Sequence, residues 1–216
     1  SSDVCSSDLG SRIVTVSLEG LADGPLDDVE VLLRGPMPAA TFDRLLARCP
    51  RLTWVHSATA GVERVLTPAA RERSLTITNA RGVFSEPITE YVTMMILAIV
   101  RRLPQLLELH RERTWQPLIA REMRDVTVGV VGLGSIGQLV ARQALGLGAR
   151  VIATRRAAPD GTVSAPAGLD GIDRVLPPDR LAGLLAESDF GVLALPLTDE
   201  TSGLIDERAL ARFRPG

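Results

Sequence analysis

The densest chemistry in the chain lies in one short string, Gly132-Leu133-Gly134-Ser135-Ile136-Gly137, between the β-branched run Val126 to Val131 and a stretch with helical spacing. Glycines at that spacing do three different jobs. Gly132 permits a tight turn, Gly134 leaves the backbone open to close approach by a pyrophosphate, and Gly137 lets the following helix pack on the strand. The N–H groups of Ser135 and Ile136 stand at the positive end of that helix, where an anion is stabilised without a charged side chain. The string therefore predicts a dinucleotide phosphate cradle. A glycine-rich structural turn that binds nothing is the alternative, and the strand before it and the helix after it favour the cradle.

The end of the next strand decides which dinucleotide fits, because an acidic residue about 20 positions on would accept the ribose 2′-hydroxyl of NAD. This chain has Ala153-Thr154-Arg155-Arg156 there. Two guanidinium groups cannot accept that bond, but they make charge-assisted, fork-like contacts to a 2′-phosphate. NADP is the expected cofactor, with NAD as the alternative if Arg155 and Arg156 are merely solvated.

Alternating elements must position these groups. Ile13 to Val16, Val29 to Leu33, Leu52 to Val55 and Leu75 to Thr78 read as strands, and Thr41 to Cys49 reads as a helix capped by Thr41. Glu86 to about Arg113 is the longest helical pattern, apolar nearly all round at first, with Pro104 expected to kink or end it. After Trp115 a second series follows: strand Val126 to Val131, helix Gln138 to Leu147, strand Arg150 to Thr154, helix Asp179 to Glu187, strand Phe190 to Leu195, and helix Glu207 to Phe213. Strand and helix alternate throughout, so the fold class is α/β with parallel sheets.

Composition narrows the function classes. The 216 residues are 45% hydrophobic and 23% charged, enough to bury a core in one or two domains. A net charge of −2 with interspersed signs offers no long-range field for nucleic acid or an anionic membrane. Cys5 and Cys49 are too few and too far apart for a disulfide framework or a metal site, so a reducing, cytoplasmic setting is expected. The longest apolar run, Tyr91 to Val100, is far short of the roughly 20 residues of a membrane span. Residues 1–10 have no secretory signal pattern and are expected to be a non-native or disordered tail.

Taken together, the string from Gly132 to Gly137, the pair Arg155-Arg156, the segment Ala194-Leu195-Pro196-Leu197-Thr198 with Thr201 and Gly203-Leu204-Ile205, and the terminal Phe213-Arg214-Pro215-Gly216 resemble the D-isomer-specific 2-hydroxyacid dehydrogenase family. The resemblance runs from about Leu52 to the end, and the arginine pair points to the family's NADP-using glyoxylate/hydroxypyruvate reductases. It implies two doubly wound parallel-sheet domains: a flavodoxin-like substrate domain over residues 11–85 and an incomplete Rossmann dinucleotide-binding domain over 115–216, joined by an interdomain helix over 86–114. Hydride transfer between a nicotinamide cofactor and a small 2-keto or 2-hydroxy acid is the implied activity, in a homodimer formed near the long helix.

Ser57-Ala58-Thr59-Ala60-Gly61-Val62-Glu63 resembles the family's substrate loop, whose backbone N–H groups hold the substrate carboxylate. Only small residues let the backbone come that close to an anion. By resemblance Thr59, Ala60 and Gly61 are the substrate-binding candidates, with Glu63 where the family often has aspartate. Leu195 and Pro196 are expected to line the cofactor site, and Thr201 to stabilise that loop. The family's catalytic arginine, glutamate and histidine lie beyond the segment matching Arg214-Pro215-Gly216, so no catalytic residue, no turnover and a marginal, aggregation-prone chain are expected here. His56 is read as a loop residue supporting the substrate site, His110 as an exposed helix flank, and Glu112 and Glu122 as members of a solvated charged face. A non-catalytic dinucleotide sensor or corepressor-like module would share the fold. So would a formate or phosphite dehydrogenase, which the arginine pair argues against.

Overall fold

Short β-branched and apolar runs, each followed by a helical stretch, produce parallel strands, because a parallel pair needs a crossover connection. The structure, a computed structural model, describes residues 11–158 and 161–214. The chain divides into two compact units, Ser1–Arg81 and Gly82–Gly216. The sequence placed the division four residues later, before the long helix. The tail expected over residues 1–10 lies outside the described residues, as do Pro215 and Gly216.

In the first unit, Val31–Arg34 (β1), Trp54–Ser57 (β2) and Thr76–Asn79 (β3) form a parallel sheet in the order β1-β2-β3. Helices Ala39–Arg48 (α1) and Pro68–Arg71 (α2) supply Phe42, Leu45, Leu46 and Ala70 to a buried cluster with Val55 and Leu52. The period of two along a strand sends Leu32, Val55 and Ile77 to that cluster and leaves Leu33, Trp54 and Thr76 more exposed.

In the second unit, Thr127–Val131 (β4), Arg150–Thr154 (β5), Arg174–Leu176 (β6) and Phe190–Leu193 (β7) are all parallel, in the order β6-β5-β4-β7. Helices Ser85–Val100 (α3) and Ser135–Gly146 (α5) bring Ile96, Val100, Val140 and Ala144 onto one face of β4 and β5, against Val128, Val130, Val151 and Ala153. Leu181–Glu187 (α6) and Glu207–Leu210 (α7) cover the other face with Leu184, Leu185 and Ala209, against Val131 and Ile152. All five residues of β4 are buried, as a strand covered on both faces requires. Strand order reverses between β4 and β7, where a doubly wound sheet opens a crevice at its carboxyl ends.

Several boundaries differ from the sequence reading. Ile13 to Val16 is no strand; it makes one antiparallel bridge, Val16 to Ala22, because the chain turns back at Gly20, whose φ is +90°, and pairs with itself. The first helix begins at Ala39, with Pro38 leading it, and Thr41 is buried inside it, where its hydroxyl accepts from Arg44 at 3.0 Å. Helix α5 begins at Ser135, inside the glycine string, three residues before the apolar spacing becomes visible. The long helix is two helices, α3 and Leu103–Arg111 (α4), broken at Arg102, which adopts left-handed backbone with φ 57°. Pro104 explains the break: its ring and missing N–H are tolerated only in a first turn, so a new helix must start just before it.

Candidate functional site

Gly132 leaves β4 with φ +98°, a conformation natural to glycine, and its N–H donates to the carbonyl of Thr154 at 3.1 Å, anchoring the turn to the end of β5. A Cβ on Gly132 would stand 2.6 Å from the Leu195 side chain and 2.8 Å from the Ala194 carbonyl. Gly137 is more constrained, since a Cβ there would stand 1.9 Å from the carbonyl oxygen of Gly132. Helix α5 can approach β4 only because that atom is absent. Gly134 is different: nothing lies within 4 Å of its Cβ position, and the residue is exposed at the first turn of α5. Gln138 fixes the loop from behind by donating from its side chain to the Leu133 carbonyl at 3.0 Å.

Around this turn the fold assembles a cavity of about 390 Å³, within the usual range of ligand pockets. Gly132, Leu133 and Gly134 form one wall, Thr154, Arg155 and Arg156 another, and Ala194, Leu195, Pro196, Thr198, Glu200, Thr201 and Leu204 a third. Pro178 and Leu181 close it below β6. The sequence thus named Gly132, Gly134, Arg155, Arg156, Leu195, Pro196 and Thr201 from three separate segments, and they line one cavity. Ser135, Ile136 and Gly137 lie behind its rim in the first turn of α5, where the N–H groups of Ser135 and Ile136 have no acceptor among the described residues.

Each wall is held by its own bonds. Arg155 continues the ladder past β5, its N–H donating to the Leu176 carbonyl at 3.0 Å, and its guanidinium donates to the Ser164 carbonyl at 3.1 Å. Arg156 is exposed. The Thr201 hydroxyl donates to the Pro196 carbonyl at 2.6 Å and accepts the Thr198 N–H at 2.8 Å, closing residues 196–201 into a rigid turn. Sequence reasoning missed Pro178, Leu181, Glu200 and Leu204. Pro178 and Leu181 stand at the start of the helical segment after β6, and Glu200 and Leu204 in loops, all of them brought to the cavity by the fold and not by a pattern in the sequence.

The second group of candidates lies in the first unit. Strand β2 ends at Ser57, and the Ala58 N–H donates to the Arg34 carbonyl at 2.9 Å, so the loop leaves the sheet beside β1. The Thr59 hydroxyl donates to the Gly61 carbonyl at 3.0 Å, and the Asn79 side chain donates to the Ala60 carbonyl at 2.6 Å. Both carbonyls are thereby engaged, while the N–H groups of Ala60 and Gly61 donate to nothing among the described residues. Sequence reasoning overlooked Asn79 as a support. His56 lies within β2, not in the loop, and its Nδ1 meets the Thr78 hydroxyl at 2.9 Å. It is a sheet residue held by a neighbouring strand. His110 is exposed on α4, and Glu122 pairs with Arg124 at 2.6 Å on an exposed face. No cluster of metal-ligating side chains is found among the described residues, and no helix there is long and apolar enough to cross a membrane.

The family profile described as D-isomer specific 2-hydroxyacid dehydrogenase, NAD binding domain, matches residues 93–216. A D-3-phosphoglycerate dehydrogenase of Mycobacterium bovis is 39% identical over 182 residues, 82% of this chain and 33% of that protein. A glyoxylate reductase of Thermococcus gammatolerans is 31% identical over 209 residues, 93% of this chain and 58% of that protein. Among solved structures, an NADPH-dependent glyoxylate/hydroxypyruvate reductase from Sinorhizobium meliloti, in complex with NADP and sulfate, superposes with a TM-score of 0.73 at 26% identity, covering 88% of this chain and 56% of its own. The chain therefore spans between a third and somewhat over half of the length of these relatives. With a glycine turn at the switch point of a β6-β5-β4-β7 sheet, and a profile match over more than half of its residues, this chain belongs to the D-isomer-specific 2-hydroxyacid dehydrogenase family.

Proposed function

We propose that this chain is the cofactor-binding unit and part of the substrate-binding unit of an NADP-preferring reductase acting on a small 2-keto acid of the glyoxylate or hydroxypyruvate kind. One observation carries the reading: the glycine turn, the arginine pair and the Leu195-Pro196 loop line a single cavity of about 390 Å³. In this reading the cofactor's pyrophosphate lies over Gly134, whose Cβ position is open, and accepts from the N–H groups of Ser135 and Ile136. Arg155 and Arg156 hold the 2′-phosphate by charge-assisted bonds. Leu195 and Pro196 present an apolar wall to the cofactor's rings, and Thr201 keeps that wall rigid. The nicotinamide, once bound, supplies the hydride. Thr59, Ala60 and Gly61 hold the substrate carboxylate through backbone N–H groups.

The two units, Ser1–Arg81 and Gly82–Gly216, support a division of labour between a substrate-carrying and a cofactor-carrying part. A homodimer is part of the proposal, supported by the apolar side chains exposed on α3 and α4. Cys49, buried with a free thiol that burial shifts upward in pKa, accords with a reducing, cytoplasmic setting.

Calorimetric titration of the 216-residue chain with NADPH and NADH tests the cofactor assignment. NADPH is expected to bind at least about tenfold more tightly, a difference of about 1.4 kcal/mol. NADH binding as tightly as NADPH would remove the role given to Arg155 and Arg156. Binding of neither would remove the cradle.

A further inference from the structure

The loop after β2 is gripped by its carbonyls. The Thr59 carbonyl accepts from the Ala80 N–H at 3.4 Å, the Ala60 carbonyl from the Asn79 side chain at 2.6 Å, and the Gly61 carbonyl from the Thr59 hydroxyl at 3.0 Å. That hydroxyl is itself held by Ser57, fully buried and 3.0 Å away; since the Thr59 proton goes to Gly61, Ser57 is the donor of the pair. In a trans peptide the C=O of one residue and the N–H of the next share a plane and point opposite ways. Fixing these carbonyls therefore fixes the N–H groups of Ala60, Gly61 and Val62, each aimed away from the group that holds its peptide. None of them has an acceptor among the described residues. Asn79 and Ala80, which supply two of the grips, stand at the end of β3, where Asn79 pairs with Ser57 of β2.

We propose that Asn79 is a positioning residue of the substrate loop: by holding the Ala60 carbonyl it keeps the Gly61 N–H turned away from β3 and available to a substrate carboxylate. The inference rests on reading Thr59 to Gly61 as the carboxylate cradle. The peptide between Ala60 and Gly61 is the one in need of a clamp. Turning it over changes ψ of Ala60 and φ of Gly61 together and leaves the rest of the chain in place, as between turn types I and II, and it demands a positive φ only at the second residue. Glycine meets that demand without steric cost. The residue that lets an anion come close is thus also the one that lets the peptide flip, and a flipped peptide presents a carbonyl oxygen where a carboxylate must bind. The flanking peptides are safer, because flipping them needs a positive φ at Ala60 or at β-branched Val62. The flexible peptide accordingly receives the shortest of these bonds, 2.6 Å, from a side chain rooted in a paired strand. A carbonyl can be held only by a donor, so the role calls for the amide of asparagine and not for a carboxylate.

The test uses the 216-residue chain, isotope-labelled, with oxamate, an unreactive monoanion shaped like a small 2-keto acid, as the probe. Two quantities are read by NMR: the oxamate affinity from the Gly61 amide signal, and the residual dipolar coupling of the Gly61 N–H without ligand, which reports the direction of that bond. Asn79→Leu keeps the branched shape and removes the donor. It is expected to weaken oxamate binding about tenfold and to change the Gly61 coupling, while the couplings of Val55 and His56 in β2 stay as they are. Asn79→Asp, equal in shape and unable to donate once ionised, repeats the ligand-free measurement if the leucine variant loses its sheet signals, and the same change at Gly61 is expected. If oxamate binds the wild-type chain and neither affinity nor coupling changes in the variants, the clamp is overturned and the cradle stands. Couplings in β2 that move as far as that of Gly61 would overturn it too, making Asn79 a general support of the sheet, and lost affinity with an unchanged coupling would give Asn79 a direct contact with the ligand instead. If oxamate leaves the Gly61 amide of the wild-type chain unmoved, the cradle reading fails and the clamp falls with it.

Discussion

The glycines of the phosphate turn separate into those the fold needs and one that only a ligand would need. Gly137 has no room for a methyl group, because the Gly132 carbonyl would be 1.9 Å away and both partners are backbone that cannot step aside. We expect Gly137→Ala to destabilise the chain by about 3 kcal/mol, at the upper end of overpacking costs, measured by urea unfolding. Gly134 has φ −78° and open space at its Cβ position, so alanine there is neither strained nor crowded. Gly134→Ala should leave the unfolding midpoint nearly unchanged and weaken NADPH binding at least about tenfold, because its methyl would occupy the surface on which a pyrophosphate rests. Unaltered binding would show that the turn does not carry the phosphates. The two arginines are also unequal. Arg155 already donates to the Ser164 carbonyl and so helps hold the connection after β5. Arg156→Ala is expected to cost NADPH about tenfold in affinity and NADH little, since only the former has a 2′-phosphate for a guanidinium to grip. An equal loss for both cofactors would contradict that role.

At the scale of elements, ion pairs tie the amino-terminal ends of β5 and β6 to the end of α6. Arg150 reaches Asp173 at 2.8 Å and Glu187 at 2.9 Å, and Arg174 bonds to the same two carboxylates. Arg174 and then Arg150 hold the Glu187 carboxyl down to about 2, and Arg150 first of all lowers Asp173. Both carboxyls are depressed in the folded chain, so their contribution is complete above their ordinary range and is lost as pH falls towards 2. We expect Glu187→Gln to lower the thermal midpoint at neutral pH, and the gap from the wild-type chain to narrow between about pH 5 and about pH 3. Salt should narrow it too, because these groups are partly solvated. A gap that stayed constant over that range would mean that the network contributes through packing alone. The same elements show where sequence was readable. Residues Arg150–Thr154 emerged with their observed bounds, since this buried central strand runs apolar through Val151, Ile152 and Ala153 between Arg150 and Thr154, with Arg155 directly after it. The glycine string was readable because backbone geometry admits no other residue at Gly132 and Gly137. Pro178 and Leu181 open the helical segment that the sequence did anticipate, but that its first turn faces the cavity depends on how the short strand β6 sets it beside β5, which no spacing encodes. Glu63 drew attention as a departure from the usual aspartate, but its position over Gly61 depends on side-chain geometry that no spacing encodes.

For the whole molecule, the unexplained feature is apolar surface. No residue of α4 is buried, and Leu106 and Leu107 on it are 44% and 49% exposed. On α3, Tyr91, Met94 and Ile99 are each more than half exposed, and the segment after α4 ends with Trp115 at 95%. Between α3 and α4 runs a shallow groove lined by Thr93, Met94, Leu97, Leu103 and Leu106. Scattered apolar residues on a surface need no explanation, but a contiguous set on two consecutive helices marks a contact surface. A face that is its own complement closes a dimer by two-fold symmetry and leaves nothing exposed to continue the assembly. We therefore expect the chain to sediment as a dimer at micromolar concentration. Introducing charge at two exposed positions of this face, Met94→Glu with Leu106→Glu, should give a monomer, because each carboxylate would have to enter an apolar contact unpaired. Neither residue lines the cofactor cavity, so NADPH binding should survive in the monomer. A wild-type chain that sediments as a monomer would assign this surface to some other partner, whereas a dimer unaffected by both substitutions would place the interface elsewhere on the molecule.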